Sequence, residues 1–348
     1  MKHINIPIFI PQLGCPYQCI FCNQKKISAQ SSVPDAKQVR EQIGRYIEKM
    51  GAKTKDAEIA FFGGSFTCLP QELQKEYLEA AQAFLRQPLV TGIRISTRPD
   101  YIDEPKLDFL KINGVTVVEL GVQSFSDPVL QASGRLYSCG QVIAACQLIK
   151  SKGFQLGVQV MPGLPEDNYE SALQTAEVIA GLKPDMVRIY PTLVIKDTPL
   201  EQLYYRRLYQ PLTLSEAVKT CADMKEIISR ENIKIIRMGL QPNEEMLNGE
   251  VVAGPFHPAF GELVEQMVFF RQAQRLLEGF ISTGKQREPL VLIVNPKEVS
   301  KMIGHKRVNI ELLSHIWKAP IIVKGQKNQT KGKIELQALK AEKNEGCL

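Results

Sequence analysis

The sequence predicts an α/β protein built on a partial (β/α)6 barrel, followed by a small C-terminal α+β domain. Two observations carry this. Short apolar β-rich runs alternate with amphipathic helical runs through about residue 190. The strand runs are nearly continuous in apolar residues, which implies burial on both faces and parallel pairing through right-handed crossovers. About six such units suit an open barrel better than a closed eightfold one. A chain of 348 residues with 44% hydrophobic content can also bury a large core beside a smaller domain.

In chain order, "INIPIFI" (Ile4–Ile10) reads as the first strand. A helix follows over Asp35–Met50, with Pro34 before it and Ile43 and Ile47 at helical spacing. "AEIAFFGG" reads as a strand ending in glycines, Gln71–Arg86 as a helix and "GIRISTRPD" as a strand. "PKLDFLKING" is a helix closed by Gly114, "TVVELGVQSF" a strand, and Ser138–Lys152 a helix stopped by Gly153. "FQLGVQVMPGLP" is a strand, Tyr169–Gly181 a helix and "DMVRIYP" the sixth strand. The expected domains are a core barrel over 1–245, a helical connection over 246–289 and a small basic domain over 290–348. That last part reads strand ("LVLIVNP"), helix (Lys297–Ile303), loop ("GHKR"), helix (Val308–Ile316) and two further strands ("PIIVKG", "GKIELQAL").

Composition excludes several classes. "MKHINIPIFIPQLG" is apolar but short and broken by Pro7 and Pro11, so it predicts neither a spanning helix nor a signal peptide. Eight cysteines are too sparse for a disulfide scaffold, and the expected setting is the reducing cytoplasm. The net charge of +6 is uneven. Residues 280–348 hold 13 Lys/Arg against 6 Asp/Glu, whereas the remainder is close to neutral.

The densest chemistry lies in "GCPYQCIFCNQK", where Cys15, Cys19 and Cys22 share one loop after the first strand. Active loops of such barrels sit at this C-terminal end. A structural zinc site normally closes with four ligands, and no second pair follows here; the four histidines (His3, His257, His305 and His315) are scattered. Three thiolates instead suit a [4Fe–4S] cubane with one open iron. Zinc and unliganded core thiols are the alternatives. Gly14 and Pro16 are expected to shape the loop, and Phe21 to supply an aromatic surface beside the open iron.

With these residues in view, the sequence resembles the radical S-adenosylmethionine (SAM) superfamily, whose signature is C-x3-C-x-aromatic-C at the end of the first strand. "FFGGSFT" is similar to that family's glycine motif, which implies that Gly63 and Gly64 meet the amino group of SAM. Glycines allow that approach because they lack Cβ. "ISTRPD", "LGVQSFSDPVLQASGR" and "GVQVMPGLPED" resemble motifs shared by relatives of oxygen-independent coproporphyrinogen oxidase and of the Elongator catalytic subunit. The resemblance implies Gln123 and Gln159 at the SAM ribose and Arg135 at the methionine carboxylate, a charge-assisted partner. Ser96 stands where the coproporphyrinogen branch carries Glu.

"VRIYPTLVIKDTPLEQLYYRRLYQPLTLSEAV" favours the Elongator branch, although the first two cysteines of that branch lie much further apart, and the 348 residues leave no room for its acetyltransferase domain. The implied activity is reductive cleavage of SAM at a [4Fe–4S] cluster to a 5′-deoxyadenosyl radical, which abstracts hydrogen from a substrate. A reductant protein such as flavodoxin or ferredoxin is the implied partner. No residue is assigned as catalytic. Arg188, Tyr190 and Lys196 are expected near the barrel mouth, His257 as an acid–base or packing group, and Cys68 as the one other thiol close to the site. The C-terminal order with its basic loop resembles a KH-type RNA-binding module, except that Arg307 stands where the clamp needs a second glycine. A structured RNA such as tRNA is therefore the expected substrate. The alternatives are a non-catalytic iron–sulfur RNA-binding or sensor protein, or a radical SAM enzyme acting on a small metabolite or tetrapyrrole.

Overall fold

A computed structural model describes residues 2–10, 15, 17–23, 33–51, 54–240, 249–281 and 288–339. The expected turn roles of Gly14 and Pro16, and Cys347, lie outside the described residues. The chain divides into two compact units, Met1–Pro258 and Ala259–Leu348.

The first unit alternates strands and helices: β1 (Lys2–Ile10), α1 (Ala36–Glu48), β2 (Thr54–Gly63), α2 (Gln71–Gln82), β3 (Val90–Thr97), α3 (Glu104–Ile112) and β4 (Val115–Gln123). It continues through α4 (Asp127–Ala132), α5 (Cys139–Ser151), β5 (Gln155–Val160), α6 (Tyr169–Leu182), β6 (Met186–Ile189), β7 (Val194–Ile195), α7 (Pro199–Tyr205), α8 (Leu214–Ser229), β8 (Lys234–Met238) and β9 (Val251–Ala253). Helix starts are set by side-chain caps. The side chains of Asp35, Ser138, Asn168 and Thr213 each accept the backbone N–H at N3, and the N3 side chain in turn accepts the cap residue's own N–H.

Seven parallel strands in the order β1-β2-β3-β4-β5-β6-β8 form one curled sheet, a half-barrel. The α/β partial barrel expected from sequence is therefore present, with β8 as a seventh strand beyond the expected six. Alternating side chains divide the sheet into two faces. Ile59, Ile95, Leu120, Leu156 and Val187 are fully buried. The opposite parity carries Glu58, Arg94, Glu119, Gln159 and Arg188. There Arg94 Nε donates to Glu58 Oε2 at 2.8 Å, and its Nη1 also donates to Glu119. Arg188 Nε and Nη2 donate to the two oxygens of Glu119 at 3.1 Å each, and its Nη1 lies 3.3 Å from the Tyr190 hydroxyl. Glycine makes room for this ladder: a Cβ on Gly157 would lie 2.6 Å from Glu119 Cγ.

The second unit holds α9 (Phe260–Ile281), β10 (Leu290–Val294), α10 (Val299–Ile303), α11 (Val308–Trp317), β11 (Ile321–Gly325) and β12 (Glu335–Ala338). β10 is central, parallel to β11 and antiparallel to β12. Helix α9, expected as a connection, supplies Phe269, Ala273 and Leu277 to a core with Leu292, Val294, Met302, Leu313 and Trp317. Between α10 and α11, Gly304, Lys306 and Arg307 have φ of 80°, 49° and 66°.

Candidate functional site

The cysteine loop leaves β1 beside the glycine turn of β2. Gly64 N–H donates to the Ile10 carbonyl at 2.8 Å, and a Cβ on Gly63 (φ 105°) would stand 3.0 Å from that same oxygen. Both the close approach and the positive φ require glycine. The loop is pinned at three points: Ile20 N–H donates to the Ser133 carbonyl at 3.3 Å, Leu200 N–H donates to the Ile20 carbonyl at 2.9 Å, and Asn23 Nδ2 donates to the Lys196 carbonyl at 3.2 Å. Cys22 N–H closes a turn on the Cys19 carbonyl at 3.1 Å.

None of Cys15, Cys19 and Cys22 is in a disulfide; Cys15 is exposed and the other two are half-buried. The Cys15 thiol is pushed above its ordinary value by desolvation, opposed by a hydrogen bond from the Ser65 backbone and by the charges of Arg98 and Arg135. Ser65 serves both sides of this turn. Its hydroxyl lies 2.8 Å from Thr97 Oγ1, accepts the Arg98 N–H at 3.2 Å and takes the Cys68 thiol at 3.0 Å. Burial pushes Cys68 up to about 11.

Phe21 is buried with Val129, Leu164, Val194, Leu200 and Tyr209. Its visible role is to seat the loop in this apolar cluster, with the Arg135 guanidinium 5.9 Å over its ring. Arg135 is itself buried, and its Nη1 donates to the Gly121 carbonyl at 3.0 Å and to the Tyr137 hydroxyl at 2.7 Å. Its Nε has no partner. Gln123, at φ 71°, is also buried, and its Oε1 accepts from Gln159 Nε2 at 3.3 Å. A Cβ on Gly121 would meet the Gln123 amide nitrogen at 2.9 Å and Arg135 Nη2 at 3.7 Å. The structure thus brings Gln123, Gln159 and Arg135 together around Gly121, and Gly63 and Gly64 against the end of β1.

By donor type, the residues present suit a cluster and SAM. Cys15, Cys19 and Cys22, none of them in a disulfide, share one loop, but nowhere among the described residues are three or more His, Cys, Asp or Glu side chains gathered closely enough to hold a metal ion, so the fit rests on donor type and on the shared loop. A Cβ at Gly63 would meet the Ile10 backbone and one at Gly121 the Gln123 side chain, so both glycines serve the chain's own close packing, whereas Arg135 Nε is a buried donor without a partner, as a bound carboxylate would require. Cys15, Cys19 and Cys22 would hold the cluster, while Gly63, Gly64, Gln123, Gln159 and Arg135 would surround SAM.

Arg188 and Tyr190 join the inner charge ladder, whereas Lys196 is exposed and meets the loop through its carbonyl. His257 is half-buried at the end of the first unit. Cys146 and Cys221 are buried, and burial raises both thiols, Cys146 to about 12. The sequence reading missed Arg98, Asp100, Tyr17 and Tyr137. Arg98 Nε and Nη2 donate to the two Asp100 oxygens at 2.9 Å each, and its guanidinium lies 5.3 Å from the Tyr17 ring and 5.4 Å from that of Tyr137. The spacing of "TRPD" was the available signal.

Residues 9–179 match the Radical SAM superfamily, and residues 184–268 match the Radical SAM C-terminal domain. An uncharacterized protein of Methanocaldococcus jannaschii is 31% identical over 238 residues, covering 66% of this chain and 73% of its own. The tRNA uridine(34) acetyltransferase of Methanocaldococcus infernus is 29% identical over 255 residues, 62% of this chain but only 48% of that protein. The solved structure of the archaeal Methanocaldococcus infernus Elp3 with an N-terminal deletion superposes with a TM-score of 0.61 at 26% identity, over 76% of this chain and 62% of that one. This chain therefore spans about half the length of the acetyltransferase it resembles. No helix among the described residues is long and apolar enough to cross a membrane. A half-barrel with three cysteines after its first strand and a glycine turn after its second, matched across most of its length, belongs to the radical SAM superfamily of enzymes, which use a [4Fe–4S] cluster and SAM.

Proposed function

We propose that this chain is a radical SAM enzyme acting on a structured RNA, most simply a tRNA, with Cys15, Cys19 and Cys22 as the cluster ligands. When bound, the cluster and SAM supply a 5′-deoxyadenosyl radical that abstracts hydrogen from the substrate, the hard chemistry being the cofactors' own. The chain's residues position and shield. Gly63 and Gly64 give the SAM amino group close access to backbone. Gln123 and Gln159, already joined side chain to side chain, face the ribose, and Arg135 offers a buried guanidinium to the carboxylate. An electron donor of the flavodoxin or ferredoxin kind completes the set.

The observation that carries RNA as substrate is the relationship to a tRNA uridine(34) acetyltransferase. The second unit supports it. Its order is that of the βααββ arrangement with a Gly304–Arg307 loop, and Arg307 adopts the left-handed backbone that a second glycine would adopt. Lys306 and Arg307 are both exposed there. Acetyl transfer is no part of this reading.

RNA binding should weaken with salt, with a log–log slope of about −0.7 to −0.9 per phosphate neutralised. Lys306→Glu with Arg307→Glu should lower RNA affinity without loss of iron. The deciding comparison is of modified nucleosides in total tRNA from cells with and without the gene. An identical profile, together with salt-insensitive binding, would contradict an RNA substrate and leave a small metabolite or tetrapyrrole.

A further inference from the structure

Beside the cysteine loop, aromatic rings and guanidiniums alternate in an unbroken stack. Tyr17, Arg98, Tyr137, Arg135 and Phe21 follow one another at 5.3, 5.4, 5.6 and 5.9 Å from each cation to the neighbouring ring. All four distances lie within cation–π reach. The two ends of the stack, Tyr17 and Phe21, belong to the loop and flank Cys19. Its middle belongs to the segments after β3 and after α4, so the stack ties the loop to the sheet from both sides.

We propose that Arg98 is a positioning residue for the cluster, clamping the cysteine loop through Tyr17 and favouring the reduced state through its fixed charge. This rests on the reading that Cys15, Cys19 and Cys22 carry the cluster. Arg98 is 5% exposed and cannot swing away, because Asp100 grips it with two hydrogen bonds of 2.9 Å. A planar fork held on both oxygens keeps its orientation, which a lysine would not reproduce. Its guanidinium lies over Tyr17, between Cys15 and Cys19 in the loop, and that of Arg135 lies over Phe21, the neighbour of Cys22, so the two cations stand against the stretch that carries all three thiols. Its backbone N–H donates to Ser65, whose own backbone bonds Cys15. Charge, stacking and main chain thus converge on one loop. A cation held beside thiolates favours the added electron of a one-electron reduction.

The test uses the full chain, reconstituted anaerobically, and reads iron release to a chelator together with the midpoint potential from an EPR-monitored redox titration. Tyr17 is 44% exposed, so Tyr17→Leu leaves the half-barrel core untouched. It should release iron about two- to fivefold faster, as loss of an exposed cation–π contact implies. Arg98→Met should release iron faster still and shift the reduction equilibrium about tenfold toward the oxidised state, about 59 mV more negative for a one-electron couple. Arg98→Lys keeps the charge without the fork, so its potential should return toward wild type while its iron release stays fast. An unchanged potential in Arg98→Met, or wild-type iron release in Tyr17→Leu, would overturn the proposal. Wild-type protein that fails to take up about four irons would instead overturn the underlying assignment of the three cysteines.

Discussion

Arg135 sits where two roles meet. Its Nη1 braces the end of β4 through the Gly121 carbonyl and Tyr137, and its buried Nε is left without a partner. Burial alone would lower its affinity for its proton, yet the neighbouring Tyr137 and cysteines raise it, so the guanidinium stays charged. A carboxylate reaching it would gain a charge-assisted bond in a site closed to water. Arg135→Ala should therefore weaken SAM binding to the cluster-loaded chain by about 1.5–3 kcal/mol. Equilibrium binding of SAM measures this, and an unchanged affinity would leave Arg135 as a brace alone. At this scale the sequence was only partly readable. Cys15, Cys19 and Cys22 announce themselves by spacing, and Gly63 and Gly64 by their place after a strand. Arg98, Tyr17 and Tyr137 matter through a stack assembled from three separate segments, and no local pattern records it. Phe21 was placed in the correct loop, but its packing partners come from as far along as Tyr209.

Among the elements, the inner faces of β2, β3, β4 and β6 are joined by one buried chain of charges from Glu58 through Arg94 and Glu119 to Arg188. Such a chain adds little net stability when whole, but removing one member strands the others without water. Arg94→Leu should lower the free energy of unfolding by about 3–5 kcal/mol, measured by urea denaturation. A loss below about 1 kcal/mol would show that water replaces the guanidinium and that the strands do not depend on it. The strands were legible because their outward positions form apolar runs. β8 was not, because all five of its residues are half-buried or exposed and its sequence lacks a continuous apolar core. α9 was legible as a helix but not in its allegiance, since its packing partners Leu292, Leu313 and Trp317 all follow it in the chain.

For the molecule as a whole, the buried thiols and phenols set an alkaline limit. Burial raises Cys146, Tyr77 and Tyr137 each to about 12, from ordinary values of 9.0 for the thiol and 10.0 for the phenols. Their folded-state values lie above their unfolded ones, so the stability tied to them is complete below pH 9 and is lost as pH rises toward 12. Urea midpoints should fall steadily between those limits, and Cys146→Ala should make the fall shallower; a flat profile to pH 11 would contradict these burials. In the proposed activity the half-barrel would hold the cofactors and the basic unit would meet the substrate. The first of these is the central claim. Its most direct measurement is 5′-deoxyadenosine, assayed after the anaerobically reconstituted chain is reduced in the presence of SAM. The account predicts 5′-deoxyadenosine with the wild-type chain and none with Cys15→Ala, Cys19→Ala or Cys22→Ala; equal yields from wild type and the cysteine variants, or no product from a wild-type chain carrying a full complement of iron, would contradict it.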